Sequence, residues 1–388
     1  MIKNKIKLSL AAVMMLATTS YAGVVRVPNI NNLEISGDAE LKQVKEKTGD
    51  ETVDKRTAEI NLNLDAKSAS GLMIHTTFKL FDGTQAGANT IDDDNQDDGF
   101  KTKEAFVKLP ILGGKGKVMV GLHDNTRFAF GTDAFENGGE SWKAAMFIPI
   151  AKGIVFRVVS KIDNEEEQDS NKGDSGATAA RIDATFDTFK AGIKYAKGYR
   201  NKDDGKVFKV VGDPTQGLDT DNTEKKGTVG MVYLQETITG FNFGAEYRYQ
   251  KVDLIGVNKT MKPKGYYLEA SKSIDNLTVG LSYINLTKGM KGGEEFAPGL
   301  ILDGIVDSSA TEDTSAIILP IEYAIDDQIS LNATYIDADM MGDDAKEFDL
   351  GASYAMDDNV ELSIEYGKYT QDNADDQTNI EAVITVTF

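Results

Sequence analysis

An alternation of apolar and polar residues, recurring along most of the sequence, constrains the fold more than any other feature. In the stretch AEINLNLDAK, for example, Ile60, Leu62 and Leu64 occupy every second position and polar residues lie between them. A period of two is typical of a β-strand with one apolar and one polar face. The same period is found in segments 32–42, 72–80, 181–187, 241–251 and 359–369. The chain is therefore predicted to be all-β.

The connections between these segments indicate how the strands are arranged. Short and long connections alternate along nearly the whole chain, which is the arrangement of a transmembrane antiparallel β-barrel with short turns at one rim and long loops at the other. We expect about 18 strands, or 16 if segment 143–150 or 227–238, which alternate poorly, is not part of a strand pair. Short turns are predicted near 68–70, 151–153, 187–189, 239–240, 274–276, 326–327 and 357–359, and long loops near 83–102, 124–142, 164–177, 200–224, 254–262, 289–312, 339–346 and 371–378.

The first 22 residues read as a secretory signal peptide. Lys3, Lys5 and Lys7 precede an apolar run over 8–17, and small residues flank Tyr21. This order of basic region, short apolar core and small-residue cleavage site is typical of export signals. We expect residues 1–22 to be removed and residues 23–388 to form a single barrel domain. Export of a chain without cysteine suits a bacterial envelope protein.

The tyrosines on the apolar faces of the predicted strands have two possible interpretations. Tyrosine at the end of a membrane strand can place its ring at the lipid headgroups and its hydroxyl in water. Cross-strand packing in any sheet also favours tyrosine. The residues concerned are Tyr247, Tyr249, Tyr283, Tyr323, Tyr335, Tyr354 and Tyr366.

The final strand carries a resemblance to a known family. Apolar residues fall at every second position from Ile380 to Phe388. In this the chain resembles bacterial outer-membrane porins of the general diffusion type, in which a last strand ending in phenylalanine is the signal for outer-membrane insertion. The resemblance implies location in the bacterial outer membrane, short periplasmic turns, a water-filled lumen and a homotrimer.

The loop 125–143 carries a second resemblance to these porins. Its segment FENGGE, residues 135–140, is similar to the acidic Gly-Gly stretch of the third porin loop, which folds into the lumen and narrows it. The resemblance implies a constriction lined by Asp133, Glu136 and Glu140. An alternative is a surface loop with a Gly-Gly turn.

The same resemblance implies basic residues on the wall that face these acids. Our candidates are Arg157 and Lys161, with Arg127, Arg181 and Arg248 as further ones. A lipid-facing arginine at mid-membrane would cost roughly 2–4 kcal/mol, so an inward orientation is favoured. The family often has arginine directly after the glycine of the strand that enters the third loop, whereas Leu122 follows Gly121 here.

These features predict a channel for passive diffusion of ions and small hydrophilic solutes, with a preference for cations. A channel selective for a sugar or another small nutrient is the main alternative. An enzyme is not expected, because the chain has only two histidines, His75 and His123, and neither belongs to a triad motif. A secreted adhesin is a further alternative. The net charge of −20 argues against nucleic-acid binding.

Acidic residues in the first long loop raise the question of a metal. Asp92, Asp93 and Asp94 offer the oxygen ligands that calcium prefers, but the spaced glycine and glutamate of an EF-hand loop are absent. Solvated loop charge is the alternative, and we expect no other cofactor. The predicted partners are outer-membrane lipid and lipopolysaccharide, the latter bridged through divalent cations.

Overall fold

The computed structural model describes residues 32–86, 101–124, 140–161, 175–200, 225–254, 259–290, 299–302, 313–340 and 342–388. These ranges consist of β-strands, their turns and one 3-10 turn at Leu112–Gly114. No helix in the described ranges is long and apolar enough to cross a bilayer. The strands are β1 Asn32–Thr48, β2 Glu51–Lys67, β3 Met73–Ala86, β4 Lys101–Ile111, β5 Gly116–Asp124, β6 Glu140–Ala151, β7 Ile154–Lys161, β8 Ser175–Thr185, β9 Phe189–Arg200, β10 Lys225–Ile238, β11 Phe241–Leu254, β12 Lys259–Met261, β13 Lys264–Ile274, β14 Leu277–Leu286, β15 Thr314–Ala324, β16 Ile329–Met340, β17 Asp343–Asp357, β18 Val360–Gln371 and β19 Gln377–Thr387.

The strands form one closed antiparallel barrel. Each strand pairs with the next along the chain, and β19 pairs with β1 from Asp38–Thr387 to Thr48–Gln377. Strands β12 and β13 both pair with β11 and together occupy one position in the wall. The wall therefore has 18 strand positions, which confirms the larger of the two predicted counts. Both poorly alternating segments are strands, namely β6 and β10.

The two rims of the barrel differ in their connections, as the sequence predicts. Short turns at one rim span 68–72, 112–115, 152–153, 186–188, 239–240, 275–276, 325–328 and 358–359. Connections at the other rim span 49–50, 87–100, 125–139, 162–174, 201–224, 255–258, 287–313, 341–342 and 372–376. The last two are shorter than predicted, because β17 begins at Asp343 and β19 begins at Gln377, inside the segments predicted as loops.

The two faces of the wall have opposite character. Large apolar side chains such as Leu281, Leu350 and Ile364 are 50%, 47% and 55% exposed and point outward. Polar and charged side chains point into the lumen, where Glu246 is 2% exposed. The predicted outward tyrosines include five with exposed rings: Tyr247, Tyr323, Tyr335, Tyr354 and Tyr366. An apolar exterior around a polar interior is the pattern of a barrel surrounded by lipid.

Candidate functional site: the barrel interior

A row of basic side chains crosses one side of the inner wall. The strand register pairs Arg157 with Arg181, Arg181 with Lys194, Lys194 with Met231, and Met231 with Arg248. Because side chains on neighbouring strands face the same way at paired positions, these residues lie side by side from β7 to β11. Arg157, Arg181 and Arg248 were among the candidates predicted from the sequence, whereas Lys194 was not. Lys161, another candidate, ends β7 on the same face as Arg157.

One carboxylate holds two members of this basic row. Asp183 Oδ2 forms ion pairs with Arg157 Nε at 2.9 Å and with Arg181 Nε at 3.1 Å. Arg181 and Asp183 are only 5% and 7% exposed, so water screens this group weakly. The guanidinium of Arg157 also lies 5.4 Å from the ring centre of Phe147, a cation–π distance. Two guanidinium groups thus share one buried carboxylate on this wall.

Acidic side chains occupy the opposite side of the barrel. Glu347 and Asp349 lie on β17, and Glu365 of β18 is the register partner of Glu381 on β19. Lys42 of β1 forms an ion pair of 2.7 Å with Glu381. Strands β17 to β19 are about half the circumference away from β7 to β11. The acidic side chains of β17 to β19 and the basic row therefore lie on opposite sides of the lumen.

The two histidines of the chain lie together on a third part of the wall. His75 Nδ1 is 2.8 Å from Asp65 Oδ1, and His75 Nε2 is 3.2 Å from Glu104 Oε2. The ring of Phe106 lies between the two imidazoles, 4.8 Å from His75 and 4.7 Å from His123. Both histidines are inward-facing strand residues, His75 on β3 and His123 near the end of β5. His75 therefore has polar partners on β2, β3 and β4, and both imidazoles contact the ring of Phe106.

A short piece of the β14–β15 connection lies inside the barrel. The backbone N–H groups of Ile301 and Leu302 donate to Glu347 Oε1 and Oε2, both at 2.6 Å. Leu300 N–H donates to Asp349 Oδ2 at 3.3 Å. Glu347 is 1% exposed, so its charge is satisfied by these backbone donors rather than by water. The carboxylates of β17 therefore anchor residues 299–302, hereafter the inward segment.

Apolar packing and two glycines complete the anchorage of the inward segment. A Cβ on Gly299 would lie 2.7 Å from Ile336 Cδ1, and a Cβ on Gly367 would lie 3.2 Å from Leu300 Cβ. Glycine at both positions lets the inward segment approach the wall closely. Its Leu302 belongs to an apolar cluster inside the barrel with Met231, Tyr267, Ile284, Leu286, Met290, Ala316, Ile318, Ile336, Ala338, Ala345 and Tyr369. The inward segment thus reduces the open cross-section on the acidic side.

The inward segment was not predicted from the sequence. Residues 289–312 were assigned to an outer loop on the basis of connection length alone. The apolar run GLIL at 299–302, within an otherwise polar connection, is the signal that could have found it. An apolar run in a loop needs a surface to cover it, and the inner wall provides one.

Several predicted site residues lie outside the described residues. These are Arg127, Asp133 and Glu136 of the predicted constriction and Asp92, Asp93 and Asp94 of the predicted calcium site. Glu140 is the first residue of β6, and its backbone pairs with Asp124. The connection 125–139 is the third one at its rim, and its folding into the lumen stays a prediction. Within the described ranges, no group of three or more His, Cys, Asp or Glu residues could hold a metal ion.

Comparisons with known proteins agree with this architecture. A family model described as Gram-negative porin matches residues 9–380. The crystal structure of Pseudomonas aeruginosa OpdL superposes with a TM-score of 0.65 at 11% identity, covering 92% of this chain and 98% of that one. OccK9 (OpdG) of the same organism gives 0.64 at 9%, covering 93% and 100%, and Acinetobacter baumannii OccAB4 gives 0.62 at 11%, also covering 93% and 100%. No curated protein matches by sequence. At these identities the structural likeness shows the fold alone.

Proposed function

This chain belongs to the Gram-negative porin family and is therefore a channel of the bacterial outer membrane rather than an enzyme. We propose which solutes this channel conducts and which ions it prefers. It conducts ions and small hydrophilic solutes by passive diffusion through a water-filled lumen, with a preference for cations. The observation that carries this proposal is the polar interior, in which acids on β17 to β19 face the basic row on β7 to β11. A polar lumen of this width is the condition for aqueous diffusion.

The preference for cations rests on where the acids lie. The acidic wall includes Glu365, which is half-buried on the lumen face, whereas Asp183 compensates part of the basic row. In the proposed constriction, Asp133, Glu136 and Glu140 add further negative charge at the narrowest part. Charge at a narrow, weakly hydrated point is screened less than charge on outer loops, which salt screens within about 8–10 Å.

Reversal potentials in planar bilayers under a KCl gradient test the selectivity. We expect Glu136→Gln with Glu140→Gln to lower the ratio of potassium to chloride permeability. Neutralising Asp92, Asp93 and Asp94 together is the matched control and should change the ratio less. A larger effect of the outer-loop variant would mean that residues 125–143 form a surface loop.

A substrate-selective channel is the second candidate. The inward segment favours it, because an anchored segment beside a charged wall can provide specific contacts rather than a plain opening. Liposome swelling with neutral sugars of increasing size separates the two candidates. For diffusion, the swelling rate should fall smoothly with solute size. A rate that saturates with the concentration of one solute, or that favours a larger sugar over a smaller one, would instead identify a selective channel.

The proposed lipid partner is lipopolysaccharide, and an outward-facing basic patch supports it. Thr378 of β19 is the register partner of both Lys47 on β1 and Lys368 on β18, and Lys45 lies two residues from Lys47 on the same face. All three lysines are exposed at the long-loop rim, above the apolar belt. Lys368 lies 3.8 Å from Asp376 Oδ2, whereas phosphate groups of the outer leaflet are suitable counter-charges for Lys45 and Lys47.

Removing this charge distinguishes direct contact from bridging by calcium. Lys45→Glu with Lys47→Glu should reduce the lipopolysaccharide that copurifies with the barrel, whereas Lys197→Glu on the outward face of β9 should not. If EDTA removes the lipid from the unaltered protein as well, divalent cations at Asp92, Asp93 and Asp94 become the better account.

The proposed homotrimer is tested by chemical cross-linking in mild detergent, where a monomer as the largest species would contradict it.

A further inference from the structure

Phe388, the last residue of the sequence, is paired with a glycine of the first strand. Gly37 N–H donates to Phe388 O at 2.7 Å, and Phe388 N–H donates to Gly37 O at 2.9 Å. These two bonds continue the β1–β19 pairing by one residue beyond Asp38 and Thr387. The pair therefore lies at the short-turn end of the line along which the barrel closes, hereafter the seam.

The ring of Phe388 fills the space that a side chain at position 37 would need. A Cβ built on Gly37 would lie 2.6 Å from Cζ and 2.7 Å from Cε2 of that ring. It would also overlap the backbone oxygen of Asn61 on β2. Carbon atoms in a packed protein do not approach so closely, so a larger residue at 37 would displace the ring or β2.

A second outward-facing strand glycine shows that this crowding is specific. Gly230 of β10 is the register partner of Tyr195 and Tyr249, and a Cβ there would meet nothing within 4 Å. Glycine in a strand interior gives up side-chain packing and some rigidity, which often marks a close approach of another group. At Gly37 the approaching group is the side chain of Phe388.

We propose that Gly37 is the docking position of the Phe388 ring, and that this contact locks the seam of the closed barrel. Neighbouring strands elsewhere in the described wall follow one another along the chain, whereas β1 and β19 are linked only through the whole barrel. The seam is thus held by strand pairing, side-chain packing and the ion pair between Lys42 and Glu381, with no turn across it. The ring over Gly37 covers its end, where fraying would begin.

The rate of unfolding in detergent tests the proposal. A folded barrel migrates differently from the boiled chain on a gel, so the loss of the folded band with time at a fixed temperature gives a half-life. We expect Gly37→Ala to shorten this half-life by about ten- to hundred-fold, because overpacking of this kind is strongly destabilising. Gly230→Ala, the matched control, should stay within about twofold of the unaltered protein.

A double-mutant cycle separates the Phe388 contact from the Asn61 contact. If the added methyl group acts by expelling the ring, it has little left to expel once Phe388→Ala is present. Gly37→Ala should then shorten the half-life by less than about threefold in that background. An equal effect in both backgrounds would place the damage between β1 and β2 and overturn the proposal.

A disulfide across the seam provides a second test that still works if Gly37→Ala folds poorly. Because Gly37 and Phe388 exchange both backbone bonds, Asp38 and Thr387 form a non-hydrogen-bonded pair, with Cα atoms about 4.5 Å apart, within disulfide range. The chain has no cysteine of its own. Asp38→Cys with Thr387→Cys, oxidised, should restore the Gly37→Ala half-life to within about threefold of the unaltered protein. Failure to restore it, or to recover folded protein, would show that the seam is not what the methyl group breaks.

Discussion

Replacing Glu347 by alanine should detach the inward segment and widen the channel. The carboxylate accepts the N–H groups of Ile301 and Leu302 at 2.6 Å each and is almost fully buried. Alanine removes both acceptors and leaves the two N–H groups facing an apolar methyl group. Among the contacts between described residues, the inward segment then keeps its apolar packing and the 3.3 Å bond from Leu300 to Asp349.

The size of the effect follows from the two lost bonds. A hydrogen bond to a charged acceptor contributes about 1.5–3 kcal/mol, so the anchorage weakens by at least about 3 kcal/mol. Since each 1.4 kcal/mol is a factor of ten, the attached state loses roughly 100-fold in population relative to the detached state. Glu347→Gln should fall between, because its amide oxygen still accepts one N–H while its NH2 group opposes the other.

Single-channel recording measures the result. We expect a higher conductance or frequent steps to a higher level in Glu347→Ala, and a smaller change in Glu347→Gln. Glu365→Gln is the control for charge, since Glu365 also lines the acidic wall but contacts Asn332 rather than the inward segment. If Glu347→Ala conducts like the unaltered channel, or merely loses selectivity as Glu365→Gln does, the carboxylate does not hold the inward segment in place.

Three further predictions concern the wall. Arg157→Gln with Arg181→Gln should raise the ratio of potassium to chloride permeability several-fold, because the basic row loses two charges. Lys197→Gln, on the outer face, is the control and should leave the ratio unchanged. If the double variant and the unaltered protein give equal reversal potentials, the basic row does not influence permeation. His75→Ala should lower the free energy of unfolding by about 1–3 kcal/mol, because polar contacts and ring packing are lost. The folded gel band should therefore disappear at a lower temperature, whereas Thr76→Ala, on the outer face, is the control and should not shift it. The purified protein should show a β-rich circular-dichroism spectrum and altered migration after boiling, and a helical spectrum would refute the fold.

Strand alternation was enough to predict an all-β chain, and the lengths of the connections indicated a barrel with two different rims. The strand count stayed open between 18 and 16 until the structure showed that both poorly alternating segments are strands. The period of two reports which face of a strand is apolar, and that information is local. The basic row was only partly predictable, because Arg157 and Lys194 come together through the registers of β7 to β9. Register depends on turn geometry and bulges that the alternation does not encode.

The position of the inward segment could not be predicted from the sequence for a different reason. Whether a connection lies over the rim or inside the barrel depends on a partner surface far away in the chain, here Glu347 on β17. Local composition alone does not identify that partner. Glu347 lies between Ala345 and Asp349 on the inward face of its strand. From the sequence it cannot be distinguished from an ordinary lumen residue.

The closure of β19 on β1 has a consequence for how such barrels change size. Asp38 and Thr387, which pair at the seam, are 349 residues apart. The entropy of closing a loop grows only with the logarithm of its length, so a further hairpin of about 40 residues would add about 0.1 kcal/mol to the closure cost. Gain or loss of one hairpin changes the strand number by two and keeps both chain ends at the same rim. The pore diameter can therefore vary between related chains in steps of two strands, with almost no penalty at the line of closure itself.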